Sequence, residues 1–158
     1  MRDFVSGFQS VVIGSIDENG FPFSSYAPYV YHDHRYYVFI SDIARHARNL
    51  RRSGRASLFF IEDEAGADNL FARKRVSLQC ETGIVAVESD EFAAVMAEFR
   101  QRFNPELVDA LRQMQDFHLH HLRPIAGEAV FGFGEAYTLG GEHMETLLPR
   151  RGGGHKKA

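Results

Sequence analysis

Apolar and polar positions alternate with a period of two in several stretches of the chain, the pattern of strands buried on one face. Gln9 to Ile16 is rich in β-branched residues (Val11, Val12, Ile13), and Asp17-Glu18-Asn19-Gly20 follows with the Asn-Gly pair that favours hairpin turns. Phe21 to Tyr31 resumes as a strand with alternating aromatics, with Pro22 and Pro28 marking an edge or a bend. His32-Asp33-His34-Arg35 reads as the next turn, and Tyr36 to Ile40 as a short buried strand. The period then changes. Ile43, Ala47 and Leu50 lie on one face of a short amphipathic helix over Ile43 to Arg52, with Ser41 or Asp42 at the N-cap position and Ser53-Gly54 at its end.

Ala56 to Ile61 returns to strand character. The polar stretch Glu62 to Asn69 predicts a loop, and Leu70 to Val87 predicts one long strand or two, broken at Thr82-Gly83. Ser89-Asp90-Glu91-Phe92 opens a helix whose apolar stripe is Phe92, Val95, Met96, Phe99 and Phe103. Pro105 suits the first turn of a second helix, to about Gln113. Phe117 to Arg123 and Ala129 to Leu139 complete the strands, with Gly132 and Gly134 inside the latter. Helices are too few to cover both faces of a parallel sheet. The order predicts a mainly β (α+β) fold, a split or partly closed antiparallel barrel with peripheral helices. One domain is expected over residues 1–148, followed by a flexible tail, 149–158.

Length and charge agree with that picture. The chain has 158 residues, 44% of them hydrophobic and 25% charged, and a net charge of −3. These are values of a soluble globular protein, and a slightly acidic total argues against general nucleic-acid binding. No apolar run reaches the ~18–20 residues of a membrane span. Cys80 is the sole cysteine, which excludes an internal disulfide and fits a reduced, cytoplasmic setting. On its strand it reads as a packing residue.

Arginine changes the picture, with 15 Arg against 3 Lys. Arg45, Arg48, Arg51, Arg52 and Arg55 form a cluster that is either a solvated helix face or an anion site. Arg45 and His46 stand beside the helix start, where free amides attract phosphate or carboxylate. Arg73-Lys74-Arg75 on a strand would put Arg73 and Arg75 on one face, toward a carboxylate ligand or an acidic neighbour. His32-Asp33-His34 reads as ordinary turn residues. His118 and His120 share a strand face and make at most half a metal site. Nucleophile and phosphate-loop motifs are missing. His155, behind three glycines, is an imidazole on a tail able to fold over a ligand.

Two sets of residues carry a resemblance. Gln9 to Pro22, Ser24-Ser25-Tyr26-Ala27-Pro28-Tyr29, Tyr37 to Ser41, Ala44 to Leu50 and Ala56 to Phe60 resemble the flavin-binding split barrel of pyridoxamine-phosphate oxidase-like proteins. Within it, Asn69 to Val76, Asp116-Phe117-His118-Leu119 and Gly132 to Tyr137 are similar to the haem-utilisation branch, the HugZ-type haem oxygenases. The resemblance implies a homodimer that binds haem near the subunit interface and opens the porphyrin with O2 and electrons from an external donor. It implies that His155 is the axial iron ligand and that Asp116 stands beside it, across the dimer. A carboxylate accepting the imidazole N–H would make the ligating nitrogen more electron-donating. Arg73, Lys74 and Arg75 become propionate partners. The sequence departs from the pattern in its short N-terminus, with little room for a helix before the first strand. It departs again at His46, where the flavin-phosphate motif often has lysine. Two other readings share these residues: an FMN-dependent oxidoreductase holding its phosphate with Arg45 and His46, and a non-catalytic haem-binding protein.

Overall fold

The computed structural model of the chain describes residues 1–150. Its first hairpin joins β1 (Ser10–Ile16) to β2 (Pro22–Pro28). The turn forms because the Asp17 carboxylate accepts the N–H groups of Asn19 and Phe21, each at 2.9 Å, while Gly20 takes a φ of +82°. A second hairpin joins β3 (Val30–His32) to β4 (Arg35–Ser41) through Asp33 and His34, both at positive φ. Further strands are β5 (Arg55–Ile61), β6 (Arg75–Ile84), β7 (Phe117–Val130), β8 (Ala136–Gly140) and β9 (Thr146–Pro149). Every pairing is antiparallel, in the order β2-β1-β5-β6-β7-β4-β3, with β8 on the far end of β7 and β9 on β8. The sheet curls into an open half-barrel in which β2 approaches β4.

Inside the curl, Val11, Ile13, Tyr36, Val38, Leu58, Phe60, Val76, Leu78 and Leu122 form the main core. Each such side chain contributes roughly 1.5–3 kcal/mol by leaving water. Helix α2 (Arg45–Ser53) adds Ala47 and Leu50 to that core, and Gly54 ends it at φ +65°. On the opposite face of the sheet, helices α3 (Asp90–Arg102) and α4 (Pro105–Arg112) build a second core. Ser89 caps α3 by accepting the Phe92 N–H at 3.1 Å, and Phe92, Val95, Met96 and Phe99 then meet Tyr37, Val85 and Leu119. Only the β3–β4 side of the outer face is covered this way. Among the described residues, no helix is long and apolar enough to cross a membrane.

Several expectations need correcting. A short helix, α1 (Arg2–Ser6), does precede the first strand; it buries Val5, whose carbonyl accepts the Tyr29 hydroxyl at 2.6 Å. The N-cap of α2 is Ala44, with no side-chain cap, because Ser41 instead closes a local turn by accepting the Ile43 N–H at 3.2 Å. Residues Leu70–Ala72 form a short 3-10 turn held by Asn69, so β6 starts only at Arg75, and it runs unbroken through Thr82-Gly83. The strands expected over Phe117–Arg123 and from Ala129 are one strand, β7. Gln79 faces Ala126 while Cys80 faces Pro124, so Ile125 is an extra, bulged residue that lets Pro124 sit inside the ladder. Gly132 and Gly134, at φ +154° and +76°, lie in the turn from β7 to β8.

Candidate functional site

The chemistry-bearing residues fall at the two ends of β7. At its start, Asp116 is cross-linked to the segment between β4 and α2. The Ser41 hydroxyl donates to Asp116 Oδ2, and the Asp42 N–H donates to the Asp116 carbonyl at 2.8 Å. Asp42 is itself held between two cations or potential cations: Arg51 Nη2 lies 2.9 Å from Oδ1, and His118 Nδ1 lies 3.2 Å from Oδ2. His120, one strand repeat further on, is 1% exposed, and its Nε2 has no hydrogen-bond partner among the described residues. Burial pushes its pKa down to about 4, helped by the nearby positive charge of Arg51 and opposed by Asp42. The shared face of His118 and His120 is thus turned toward Asp42 and α2. No cluster of three or more metal-binding side chains is found among the described residues.

His46, on the first turn of α2, reaches Ser25 with Nδ1 to Oγ at 2.8 Å, and burial lowers its pKa. Arg45 lies over the Phe23 ring, 5.1 Å from its centre. Three more members of the expected arginine cluster are spent within the chain, while Arg55 is exposed and lines a groove on the sheet. Arg48 donates to the Ile43 carbonyl at 2.7 Å, Arg52 to the Ile16 carbonyl at 2.6 Å, and Arg51 pairs with Asp42. An anion arriving at α2 would find Arg45, His46 and uncapped backbone amides.

At the other end, Arg73 is not on a strand. Its guanidinium donates to the Glu62 carbonyl and pairs with Glu64 at 3.2 Å, so it braces the 62–74 loop. Lys74 is exposed, its N–H held by the Glu62 carboxylate at 2.7 Å. Arg75 opens β6 opposite Val130, and with Phe59, Glu128 and Arg150 it lines an outer-face cavity of about 240 Å³. A larger groove of about 520 Å³ adjoins small residues on the same uncovered half of the sheet, among them Gly14, Ser57 and Gln79. Val12, Ile16, Tyr26 and Ile125 are exposed on or beside it. Phe71 and Phe133 are exposed in the loops at this end of the sheet. Cys80 is buried and its thiol is pushed up to about 12, which leaves it unreactive.

Asp116 and the Arg75–Arg150 end are separated by the length of β7. From Asp116 to Glu128, which pairs with Arg150, the chain advances 12 residues, about 40 Å of strand path. The sequence brought Asp116, Arg73, Lys74 and Arg75 into one list of candidates; the fold divides them. His155 lies outside the described residues. Sequence reasoning missed Ser41 and Asp42 as partners of Asp116, since they stand 75 and 74 positions away with no shared motif.

Comparison with known proteins agrees with this architecture. The family model for pyridoxamine 5'-phosphate oxidase matches residues 1–131. The chain belongs to the pyridoxamine 5'-phosphate oxidase-like split-barrel family. Within this family it is 38% identical over 157 residues to the heme oxygenase HutZ of Vibrio cholerae serotype O1, a match covering 99% of this chain and 88% of HutZ. It is thereby a homologue of the HutZ/HugZ-type haem-utilisation proteins. A crystal structure of HutZ, described as the heme storage protein from Vibrio cholerae, superposes with a TM-score of 0.77 over 84% of this chain and 94% of HutZ. ChuZ of Campylobacter jejuni, 28% identical, superposes with a TM-score of 0.85 over 99% of this chain and 64% of ChuZ.

Proposed function

We propose that this protein is a haem-binding, haem-degrading oxygenase, acting in the cytoplasm as a homodimer of split barrels that draws electrons from an external donor. The observation that carries the reading is the 38% identity to heme oxygenase HutZ over 99% of the chain. Haem is the substrate, and its porphyrin is opened with O2. His155 supplies the axial nitrogen. Asp116, whose Oδ1 makes no hydrogen bond among the described residues, accepts the imidazole N–H and thereby fixes the ring's tautomer and raises its donor strength.

The geometry favours a pairing across two subunits. His155 follows Arg150 by five residues, a reach of at most about 18 Å, whereas Asp116 lies about 40 Å of strand path from the Arg150 anchor. A second copy laid on the uncovered outer face, with its exposed Val12, Ile16, Tyr26 and Ile125, supplies the missing half. Lys74 and Arg75 then meet the propionates as charge-assisted donors, while Arg73 keeps its loop in place.

The test is a haem titration followed by ascorbate in air. Stoichiometric binding, loss of the Soret band on turnover and loss of axial ligation in His155→Ala are expected. An unchanged spectrum in His155→Ala overturns the ligand assignment. Haem left intact under reductant and O2 would instead make the protein a storage protein, the description attached to the HutZ crystal structure. Tightly retained flavin would favour the FMN-dependent oxidoreductase, with Arg45 and His46 on the phosphate.

A further inference from the structure

The carboxylate of Asp116 does not stand alone. One of its oxygens accepts a hydrogen bond from Ser41, its carbonyl accepts one from the Asp42 N–H at 2.8 Å, and Asp42 is gripped by Arg51 at 2.9 Å and His118 at 3.2 Å. These residues come from three places in the chain: the end of β4, helix α2 and the start of β7. Arg51 is exposed, but the Asp42 and His118 side chains are partly buried and Asp42 Oδ1 and His118 Nδ1 are shielded from solvent, where charges are less screened than on the open surface. A lone surface aspartate needs no such bracing. An aspartate that must present one oxygen at a set angle to an imidazole does.

We propose that Ser41 and Asp42 are positioning residues for the iron-bound imidazole: Ser41 holds Oδ2 of Asp116 so that Oδ1 is left for the N–H of the partner's His155, and the Arg51–Asp42–His118 grouping locks the Ser41–Asp42 segment in place. The inference rests on the haem-oxygenase reading of Asp116. It adds that the electron-donating strength of the axial histidine is set two contacts away, inside the other subunit. In Ser41→Ala, Asp116 Oδ2 loses its donor, the carboxylate rotates and its bond to the imidazole weakens.

The experiment uses the full-length haem complex. The Fe(II)–histidine stretching frequency is measured by resonance Raman spectroscopy, alongside haem affinity and the ring-opening rate, for Ser41→Ala, Ser41→Thr, Asp42→Asn and Asp116→Asn. Ser41→Ala is expected to lower the frequency toward that of Asp116→Asn and to slow ring opening about tenfold, the order found when a group supporting a metal ligand is removed. Haem affinity should change little. Ser41→Thr, which keeps the hydroxyl, should restore both, and Asp42→Asn should shift the frequency in the same direction by less. If Asp116→Asn shifts the frequency but Ser41→Ala and Asp42→Asn do not, the positioning role is wrong. If Asp116→Asn leaves it unmoved, the underlying reading of Asp116 fails instead.

Discussion

The two ends of β7 are built to different standards. Its start is a fastened corner: Asp116, Ser41, Asp42, Arg51 and His118 tie a strand, a turn and a helix together, with His120 sealed behind them. Its far end is loose and open. There Arg75 and Arg150 border a cavity on the bare half of the sheet, and Phe71 and Phe133 stand out in solvent. A flat amphipathic ligand with anionic groups suits the second end, while a ligand atom that must be tuned suits the first. On the proposed reading the contrast is that of two complementary half-sites, the start of one β7 meeting the tail of a second copy.

The most direct way to break that view is a mixed dimer. Asp116→Asn and His155→Ala should each be nearly inactive alone. Purified heterodimer, isolated with two different tags, should regain about half the wild-type rate, since one of its two symmetric sites then has both residues intact. No recovery would mean that the two residues work within one chain.

A second test probes the sealed end by pH. His120 has a folded pKa of about 4 against an ordinary 6.5, so between those values the unfolded chain holds the extra proton. Stability is therefore full above 6.5 and falls as pH drops toward 4. Between pH 7 and pH 5 the loss from this one group is about 2 kcal/mol. His46 and His121, both lowered by burial, add to the fall. Urea midpoints at the two pH values should show it, and His120→Leu should flatten the difference. An equally steep fall in that variant would remove His120 as its source.

The smallest effect is expected at the loose end. Arg150 pairs with Glu128 in the open, the two side chains being 45% and 58% exposed. Arg150→Ala should cost no more than about 1 kcal/mol by urea denaturation. A larger loss would show that this end is fastened too.

Much of the framework was legible in the sequence because local chemistry agreed with the final fold. Asn19-Gly20 closed its hairpin, Ser89 capped its helix, Pro105 began the next and Gly54 ended α2. Errors arose where a distant partner overrode a local pattern. Leu70 to Lys74 alternates like a strand, yet Asn69 caps a turn there and Glu62 takes both Arg73 and the Lys74 N–H. Pro124 looks like a strand end until Cys80 is seen opposite it. The arginine cluster reads as a charge reservoir, but three of its members close bonds to carbonyls or carboxylates that spacing does not reveal. Asp116 is a candidate through resemblance alone; its bracing by Ser41 and Asp42 was not legible, since contacts between segments 75 residues apart leave no periodic trace.

The extra residue in β7 has a consequence of its own. Before it, Leu122 and Pro124 point into the curl; after it, Gly127 and Ala129 do, so the inward positions change from even to odd numbers at Ile125. A single strand thus serves two halves of the molecule that are out of phase with each other. Excising Ile125 would leave one unbroken alternation, with Gly127 and Ala129 still facing inward and Glu128 outward, and would take away the local bend that seats Pro124 in the ladder.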